Sequence, residues 1–328
     1  NNERNPGTML LAHLGSKGDG SGPPVRTGYE TFIRKHRKDG LKQLLGEFPE
    51  LGRFIGTVVL LWCQSNKDML NRIDHDREVL EQTFKIPQHH QLNNVRQGLS
   101  DPHRGGRAVA VLEFSVDNEP GTKVVYKPKD MAVDAAYQQV LQDLNENSDA
   151  APLQQLAIQT RDGYGYMEYV PHRLACDESE LKHFYRNAGR LSAVLHVLGC
   201  TDCHHENLIA CGDQLLLIDT ETLLEAEVPD HTSGQNTIAE AEQSALQKRF
   251  QQSILRSGLM PQWMFVGQSK VAIDISALGM ETPSKNVQSI PGWLGLNSDG
   301  MMVGTLRAIV SPRPSWPKEL LPKPETVP

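Results

Sequence analysis

The stretch GCTDCHHENLIACGDQLLLIDTE, residues 199–221, is the most informative part of this 328-residue sequence. It begins at Gly199, where a strongly periodic apolar helix pattern stops, and continues through a polar loop. The run QLLLI at 214–218 predicts a buried strand, and Gly212 and Asp213 supply turn residues before it. Asp219 follows the strand. It lies twelve positions after Asn207, which is enough for the turn and the strand between them.

The spacing of polar residues in this stretch indicates phosphoryl transfer. Asp202 and Asn207 are five positions apart, as are the acid and the metal-binding Asn of a kinase catalytic loop. Asp219 follows a buried strand, as the second metal-binding acid of a kinase does, and His204 could donate to a transferred phosphate. Upstream, Lys127 ends the strand-like run VVYK, and a rigid element is the usual mount for a phosphate-holding lysine. Together they predict a site for ATP and Mg²⁺.

The order of predicted elements fits a two-lobed kinase. Helices are predicted over 28–86, with a separate one from Asp68 to Phe84, and a hairpin joins 108–114 to 123–126. A helix over 130–144 and strands at 156–159 and 164–170 follow. Five segments are expected: a flexible N-terminal segment 1–27, a helical region 28–98, a small sheet lobe 99–170, a mostly helical lobe 171–310, and a proline-rich extended end 311–328.

The helix before the polar loop carries the clearest local signals. Asp177 and Glu180 fit a capping box, in which each side chain satisfies a free backbone amide. Gly199 is the natural C-terminal stop of this helix.

Composition excludes several classes of protein. The formal net charge of -7, with no dense basic face, argues against a nucleic-acid partner. The longest apolar run, Phe54 to Cys63, is too short to cross a bilayer. With no signal pattern at the N-terminus, the protein is expected to be cytoplasmic. The first residue is not Met, which is consistent with a fragment.

The same loop also offers a competing pattern. Cys200, Cys203 and His204 match the C-x-x-C-H haem attachment motif, and with His205 they offer four soft ligands to zinc. Haem attachment would need an exported chain, and the sequence shows no export signal. A zinc site would need these four ligands to meet at one point, which residues of a single tight loop do poorly. Reduced thiols are therefore expected, since five cysteines do not make a disulfide framework.

At these residues the chain resembles the dehydratase domain of class II lanthipeptide synthetases, the LanM type. The motifs that carry the resemblance are LSDPH at 99–103 with Gly106-Arg107, VYKP at 125–128, GYGY at 163–166, GCTDCHHENL at 199–208, LIDTETL at 217–223, LRSGLMP at 255–261, DIS at 274–276 and NSDGM at 297–301. The resemblance implies a lipid-kinase-like fold with a small β-sheet N-lobe and a mostly helical C-lobe. It also implies that ATP phosphorylates a Ser or Thr of a ribosomal precursor peptide, and that phosphate elimination then gives a dehydroamino acid.

The resemblance assigns roles to the central motif residues. Lys127 would bind ATP phosphates, and Asp202 would orient or deprotonate the substrate hydroxyl. His204 would assist at the transferred phosphate. Asn207 and Asp219 would ligate Mg²⁺.

Other motif residues receive supporting roles by the same resemblance. Glu221 would support the metal site. Asp101 and His103 lie in a segment that the family links to elimination. Backbone groups around Glu168 and Val170 would hold adenine at the hinge position.

Several alternatives remain open. The family's cyclase domain and an Arg- and Thr-containing elimination segment are not found in this sequence, so the chain is expected to be truncated before that segment. It could phosphorylate without eliminating, or bind a leader peptide without turnover, and the loop chemistry also suits a small-molecule or lipid kinase. The expected partner is a precursor peptide with a leader and a Ser/Thr-containing core. Asp134 on the next helix is expected to be solvated, with an ion pair to Lys127 as the alternative.

Overall fold

The computed structural model of the chain describes most residues between 25 and 310. They are residues 25–98, 100, 102–103, 105–117, 119–204, 206–224, 249–261, 263–265, 272–274, 276–278 and 286–310. These residues combine helices with antiparallel sheets, which confirms the predicted mixed α+β class. No helix within these ranges is long and apolar enough to span a bilayer.

The predicted helices and strands occur in the predicted order, together with further strands that the sequence did not predict. The helices are α1 Thr27–Lys35, α2 Leu41–Glu47, α3 Pro49–His75, α4 Arg77–Phe84, α5 Ala132–Glu146 and α6 Glu178–Val197, with a π-helical turn His36–Gly40 and a 3-10 turn Ile254–Ser257. The strands are β1 Gln91–Arg96, β2 Ala110–Ser115, β3 Thr122–Lys127, β4 Ile158–Arg161, β5 Tyr164–Glu168, β6 Leu208–Cys211, β7 Gln214–Leu217, β8 Trp263–Phe265, β9 Ala272–Asp274, β10 Asn286–Leu294 and β11 Met302–Val310.

Two compact units divide the described residues. One comprises the residues between 25 and 63 together with those from 286 to 310, and the other comprises those between 64 and 278. Every described residue that the sequence predicted for the site belongs to the second unit.

In the first unit, Asp299 connects the segment 286–310 to the start of helix α1. The carboxylate of Asp299 accepts hydrogen bonds from the amides of Gly28 and Tyr29, at 3.0 and 2.6 Å, in the first turn of α1. Tyr29 also donates from its hydroxyl to the amide oxygen of Asn297 at 2.7 Å. Since the first amides of a helix lack intrahelical acceptors, Asp299 acts as a cap supplied from the distant loop between β10 and β11.

A five-stranded antiparallel sheet of order β1-β2-β3-β5-β4 is the largest sheet of the second unit. The predicted β2–β3 hairpin is confirmed, with Ala110 opposite Tyr126, and α5 connects β3 to β4 as predicted. Strand β1 was not predicted, because its sequence QLNNVR has no clean alternation and four of its six residues are exposed. The apolar core of the sheet consists of Met69, Ile73, Leu80, Ile86, Ala110, Leu112, Phe114, Val124, Tyr126, Tyr164 and Tyr166.

The predicted helix from Asp68 to Phe84 is wrong in its bounds. Helix α3 continues to His75, and the helical conformation is interrupted at Asp76, whose φ of -92° and ψ of 6° are not helical. The carboxylate of Asp76 is 2% exposed and accepts hydrogen bonds from Arg161, Tyr164 and Tyr166 of β4 and β5. These partners lie about 90 positions away, so helix periodicity alone cannot locate the break.

Helix α6 begins as the sequence predicts, with one correction. The carboxylate of Asp177 accepts a hydrogen bond from the Glu180 amide at 2.8 Å, which is half of a capping box. The Glu180 carboxylate instead accepts from the amide of Cys176 and from the guanidinium of Arg173. Glu180 thus ties the start of α6 to the preceding loop. At the other end, Gly199 has a φ of 68°, as a glycine stop requires.

After α6 the described residues form three two-stranded hairpins, β6–β7, β8–β9 and β10–β11. The core beneath β6–β7 joins this hairpin to α5 and α6 and contains Tyr137, Leu141, Leu153, Phe184, Ala188, Leu191, Leu195, Cys200, Cys203, Leu208, Ala210, Leu215, Leu217, Leu223, Leu259 and Ala277. The described part of 171–310 has one long helix, α6, and the lipid-kinase-like arrangement of two lobes stays a prediction.

Candidate active site

Lys127 ends β3 and points into a buried environment. Its side chain is 6% exposed, and its Nζ donates to Asp134 Oδ1 of α5 at 3.3 Å and to the carbonyl oxygen of Ile218. Burial lowers the pKa of Lys127, despite the opposing effect of the nearby Asp134 carboxylate. The expectation that Asp134 is solvated is therefore wrong, because its side chain is 2% exposed and pairs with the lysine.

Gly165 lets β5 approach this region closely. It lies opposite Lys127 in the sheet. A Cβ at this position would stand 2.6 Å from the carbonyl oxygen of Gln159 and 2.7 Å from the side chain of Met131. Since real Cβ atoms do not approach that closely, the GYGY motif needs glycine here for packing.

Lys129 is a second cation at the site, and it was not predicted. Its Nζ lies 2.9 Å from Asp219 Oδ1, 3.0 Å from Glu221 Oε1 and 3.9 Å from Asp134 Oδ2. Burial alone would lower the pKa of Lys129, but the carboxylates, with Asp134 and Asp219 foremost, outweigh burial and raise it. The only hint in the sequence is its position two residues after Lys127, since residues two apart along an extended chain share a face.

Asp219 follows β7 and faces these lysines. Burial alone would raise the pKa of Asp219, but its hydrogen bond with Lys129 and the charges of Lys129 and Lys127 outweigh burial and lower it. The side chain is 39% exposed, and Glu221 is 66% exposed. Asp219 therefore stays ionised while remaining reachable from solvent, as a metal ligand must.

The polar loop after α6 is held by its own side chains. The side-chain nitrogen Nδ2 of Asn207 donates to the backbone oxygen of Asp202 at 2.8 Å and to the carboxylate of the same residue at 3.0 Å. His204 lies between two acids, with Nδ1 3.3 Å from Asp202 and Nε2 3.4 Å from Glu206. The carboxylate of Asp202 is 55% exposed, so it is fixed in position and still accessible.

Backbone contacts connect the loop to the lysines. The Ile218 amide donates to the carbonyl oxygen of Asn207 at 2.9 Å, which sets Asn207 beside the start of the Asp219 segment. The carbonyl of the same Ile218 accepts from Lys127. A continuous series of contacts thus joins Lys127, Asp219, Asn207 and Asp202, the four residues on which the prediction of a site depends.

Comparison with known proteins identifies the family. The family described as Domain of unknown function (DUF4135) matches residues 48–319, which is most of the chain. The chain belongs to the DUF4135 family. Over 249 residues it is also 25% identical to a Lactococcus lactis subsp. lactis protein named Lacticin 481/lactococcin biosynthesis protein LcnDR2. That alignment covers 71% of this chain and 25% of the relative, so the chain spans about a quarter of the relative it matches.

In this DUF4135 chain, two motifs without a predicted role contact the polar loop after α6. The Cys203 amide donates to the carbonyl oxygen of Ser257 at 2.7 Å, and Arg256 donates to the carbonyl oxygen of Gly199 at 3.2 Å. His204 forms a β-bridge with Ser276. The segments LRSGLMP and DIS thus brace the loop, a role that becomes visible only when their long-range partners are known.

Cys200 and Cys203 are buried in the DUF4135 core beneath the loop. Their sulfurs lie 3.0 Å apart, and Cys200 also contacts the Thr222 hydroxyl. The hydrogen bond from Cys203 lowers the pKa of the Cys200 thiol to about 6, and that hydrogen bond together with burial raises the pKa of Cys203. His204 instead faces two carboxylates. His205 lies outside the described residues, and the described ones contain no group of three metal ligands at this loop.

The predicted hinge residues of the DUF4135 chain lie at the end of β5. Glu168 is exposed, and its backbone and side chain both pair with Ala157. Val170 is buried in an apolar cluster with Met131, Leu156, Met167 and Leu216. Val125 and Ile218, which flank the lysine and acid positions, pack against the same cluster.

The predicted elimination residues are only partly described. Asp101 lies outside the described residues. His103 is exposed and pairs through its backbone with Arg107 in a tight turn that includes Gly105 and Gly106, both with positive φ. Arg107 forms an ion pair with Asp68 of α3 at 3.2 Å. Among the described hydrogen bonds and ion pairs, none joins His103 to Lys127 or to the 202–207 loop.

Proposed function

We propose that this chain is a cytoplasmic, ATP- and Mg²⁺-dependent phosphotransferase of lanthipeptide biosynthesis, with a lipid-kinase-like fold of two lobes. Its substrate would be a precursor peptide with a leader and a core rich in Ser or Thr, and phosphorylation of those residues would be the first step of their dehydration. The observation that carries the proposal is the series of contacts from Lys127 through Ile218 to Asn207 and Asp202. The name of the Lactococcus relative supports the choice of a peptide as acceptor.

The nucleotide phosphates would bind at the two lysines. Lys127 is positioned by Asp134, as the strand lysine of a protein kinase is by a helix glutamate. Lys129 is held by three carboxylates and can share its charge with a phosphate oxygen without moving far. Adenine would lie near the backbone of Glu168 and Val170, where the apolar cluster begins.

The donor set suits Mg²⁺. Asp219 supplies an ionised carboxylate, and Asn207 engages Asp202 through its amide nitrogen, which turns the amide oxygen toward other partners. Mg²⁺ prefers a few such oxygens and neutralises charge on the transferred phosphate. Glu221 would support the site through Lys129.

Asp202 would orient the acceptor. In the proposed step the substrate hydroxyl oxygen bonds to the γ-phosphorus while the bond from that phosphorus to its bridging oxygen breaks. The hydroxyl proton passes to the Asp202 carboxylate, which Asn207 holds in place. His204, between two acids, would donate to a phosphate oxygen.

Elimination of the phosphate would be the second step. Asp101 and His103 are its proposed residues, by resemblance alone. If elimination does not occur, the product is a stable phosphopeptide, and if neither step occurs, the chain is a leader-binding module.

The proposal is tested with the variants Lys127→Ala and Asp202→Ala. A precursor peptide is incubated with ATP and Mg²⁺ and analysed by mass spectrometry, while ADP release is followed in parallel. Matched controls are Lys123→Ala, an exposed lysine of the same strand, and Asp213→Ala in the β6–β7 turn.

We expect loss of product in both site variants, with native circular dichroism, and near-normal activity in both controls. Loss of water from the peptide supports dehydration, and a gain of phosphate alone supports phosphorylation without elimination. Full activity of either site variant would remove that residue from the mechanism. Absence of ADP release by the unmodified chain, with ATP bound, would overturn the proposed reaction.

A further inference from the structure

Three potential metal ligands meet at the edge of the five-stranded sheet, apart from the candidate active site. His89 and His90 lie in the turn between α4 and β1, and Glu119 lies in the loop between β2 and β3. Glu119 Oε2 is 2.8 Å from His89 Nε2 and 3.0 Å from His90 Nε2. The three ligand atoms all lie within 4.8 Å of one another.

The orientation of His90 is fixed by a backbone contact. Its ring is nearly buried, at 3% exposed, and its Nδ1 lies 3.1 Å from the carbonyl oxygen of Phe114 in β2. A carbonyl only accepts hydrogen bonds, so Nδ1 carries the proton and Nε2 points toward Glu119. Metal-binding histidines have this arrangement, with one nitrogen donating to a backbone carbonyl and the other facing the metal.

The spacing of the ligand atoms fits a small divalent ion. With metal–ligand bonds of about 2.0–2.2 Å in a tetrahedron, adjacent ligand atoms stand roughly 3.3–3.6 Å apart. Each nitrogen would move outward from the Glu119 oxygen by roughly 0.3–0.8 Å, and the two nitrogens, which lie within 4.8 Å of each other, would adopt the same spacing. His89 and Glu119 are 60% and 49% exposed, so these two side chains can adjust and a water can complete the coordination.

We propose that His89, His90 and Glu119 form a zinc site that links the turn before β1 to the β2–β3 loop. Two imidazoles and a carboxylate suit Zn²⁺, whereas Mg²⁺ prefers oxygen ligands. Glu119 precedes the start of β3 and Lys127 ends it, and the strand from Thr122 to Lys127 is about 17 Å long. The site therefore holds the sheet edge together and takes no part in phosphoryl transfer.

The test measures metal binding directly, on the full chain freed of any histidine tag. Zinc is titrated by calorimetry in excess Mg²⁺, and cobalt is used as a spectroscopic probe of coordination. The site variants are His89→Ala and Glu119→Gln, both at exposed side chains that can be changed without opening the core. His75→Ala, at an exposed histidine of the same unit, is the matched control.

We expect one equivalent of zinc in the unmodified chain and a loss of affinity of at least about 10–100-fold in each site variant. Zinc should raise the melting temperature of the unmodified chain and of His75→Ala, but not that of the site variants. A Cys200→Ser/Cys203→Ser double variant should keep the cobalt spectrum, since no thiolate is among the proposed ligands.

Two results would overturn the proposal. Equal zinc affinity in the site variants and the control would place the metal elsewhere. Absence of zinc binding in the unmodified chain would mean that the three residues form a hydrogen-bonded histidine–carboxylate cluster only. Neither result depends on phosphoryl transfer, so the proposed function and the zinc site can fail separately.

Discussion

Two buried aspartates of the second unit, Asp76 and Asp134, have very different surroundings. Asp76 is 2% exposed and accepts a hydrogen bond from Arg161 at 2.7 Å and two more from the hydroxyls of Tyr164 and Tyr166, at 2.7 and 3.0 Å. Asp134 is 1% exposed but faces Lys127 and Lys129 at 3.3 and 3.9 Å, and Lys129 also pairs with Asp219 and Glu221, which reach solvent. One carboxylate is enclosed by short contacts, and the other belongs to a looser set that reaches solvent.

The difference separates a structural network from a candidate binding network. Arg161, Tyr164 and Tyr166 all donate hydrogen bonds to the Asp76 carboxylate. These bonds offset the free-energy cost of removing that charge from water. Around Asp134 the carboxylates outnumber the lysines, and Lys129 bridges toward Asp219 and Glu221. A cation or a phosphate can bind among these lysines and carboxylates by replacing one of their existing ion pairs. Binding of a ligand at Asp76 would instead break the hydrogen bonds that hold the buried carboxylate.

The largest expected effect is on catalysis at the exposed end of the looser set. Asp219→Asn keeps the shape of the side chain but removes its charge, so ADP release should fall by about 10²–10³-fold. The fold should survive, because the side chain is 39% exposed. Initial rates with saturating ATP measure the effect, and Asp213→Asn is the control. Activity within about threefold of the unmodified chain would exclude Asp219 as a metal ligand.

The next effect is on stability at the enclosed aspartate. Asp76→Asn leaves Arg161 and two buried hydroxyls without their carboxylate, and we expect a loss of about 3 kcal/mol in the free energy of unfolding. Urea unfolding followed by circular dichroism measures it, with Asp213→Asn as the control near zero. A loss below about 0.5 kcal/mol would contradict the structural role of the network.

The pH dependence of the same variant sharpens the assignment. Burial alone would raise the pKa of Asp76, but the hydrogen bonds from Arg161, Tyr164 and Tyr166 outweigh burial and lower it. Because this pKa is lowered, the carboxylate contributes its full stabilisation above about pH 3.9, its pKa in the unfolded chain. That stabilisation is lost as the pH falls through the pKa of the folded state. The stability difference between the unmodified chain and Asp76→Asn should therefore be constant from pH 7 to about 4 and shrink below. A difference that grows on acidification would contradict the assignment.

The smallest effect is expected at the second lysine. Lys129→Met frees Asp219 from its closest cation but leaves Lys127 in place, so we expect a loss of about tenfold in kcat/KM for MgATP, or 1.4 kcal/mol. Lys127→Met, measured alongside, should be far more damaging. Equal losses in the two variants would mean that Lys129 is as much a phosphate ligand as Lys127.

The sequence predicts best what depends on neighbouring residues. The β2–β3 hairpin, helix α5, helix α6 with its Asp177 cap, and the strand before Asp219 follow from local periodicity and turn residues. The order and spacing of the motif residues also predict that Lys127, Asp202, Asn207 and Asp219 lie near one another, and contacts through Ile218 and Asn207 connect their segments.

What the sequence does not reveal depends on distant partners. The helix break at Asp76 depends on Arg161, and the burial of Asp134 depends on Lys127 at the end of β3. The bracing of Gly199 and Cys203 by the 254–257 turn is of the same kind. In each case the deciding contact joins residues separated by many positions, where a periodic pattern carries no information.

The cap that Asp299 places on α1 also bears on how the chain matures. Donor and acceptor are 271 positions apart, so a ribosome adding about 5–20 residues per second exposes the helix start roughly 15–50 s before the acceptor is made. We expect the first turn of α1 to remain frayed throughout that interval. The nascent chain must therefore keep the start of α1 available, and unaggregated, until Asp299 has been translated.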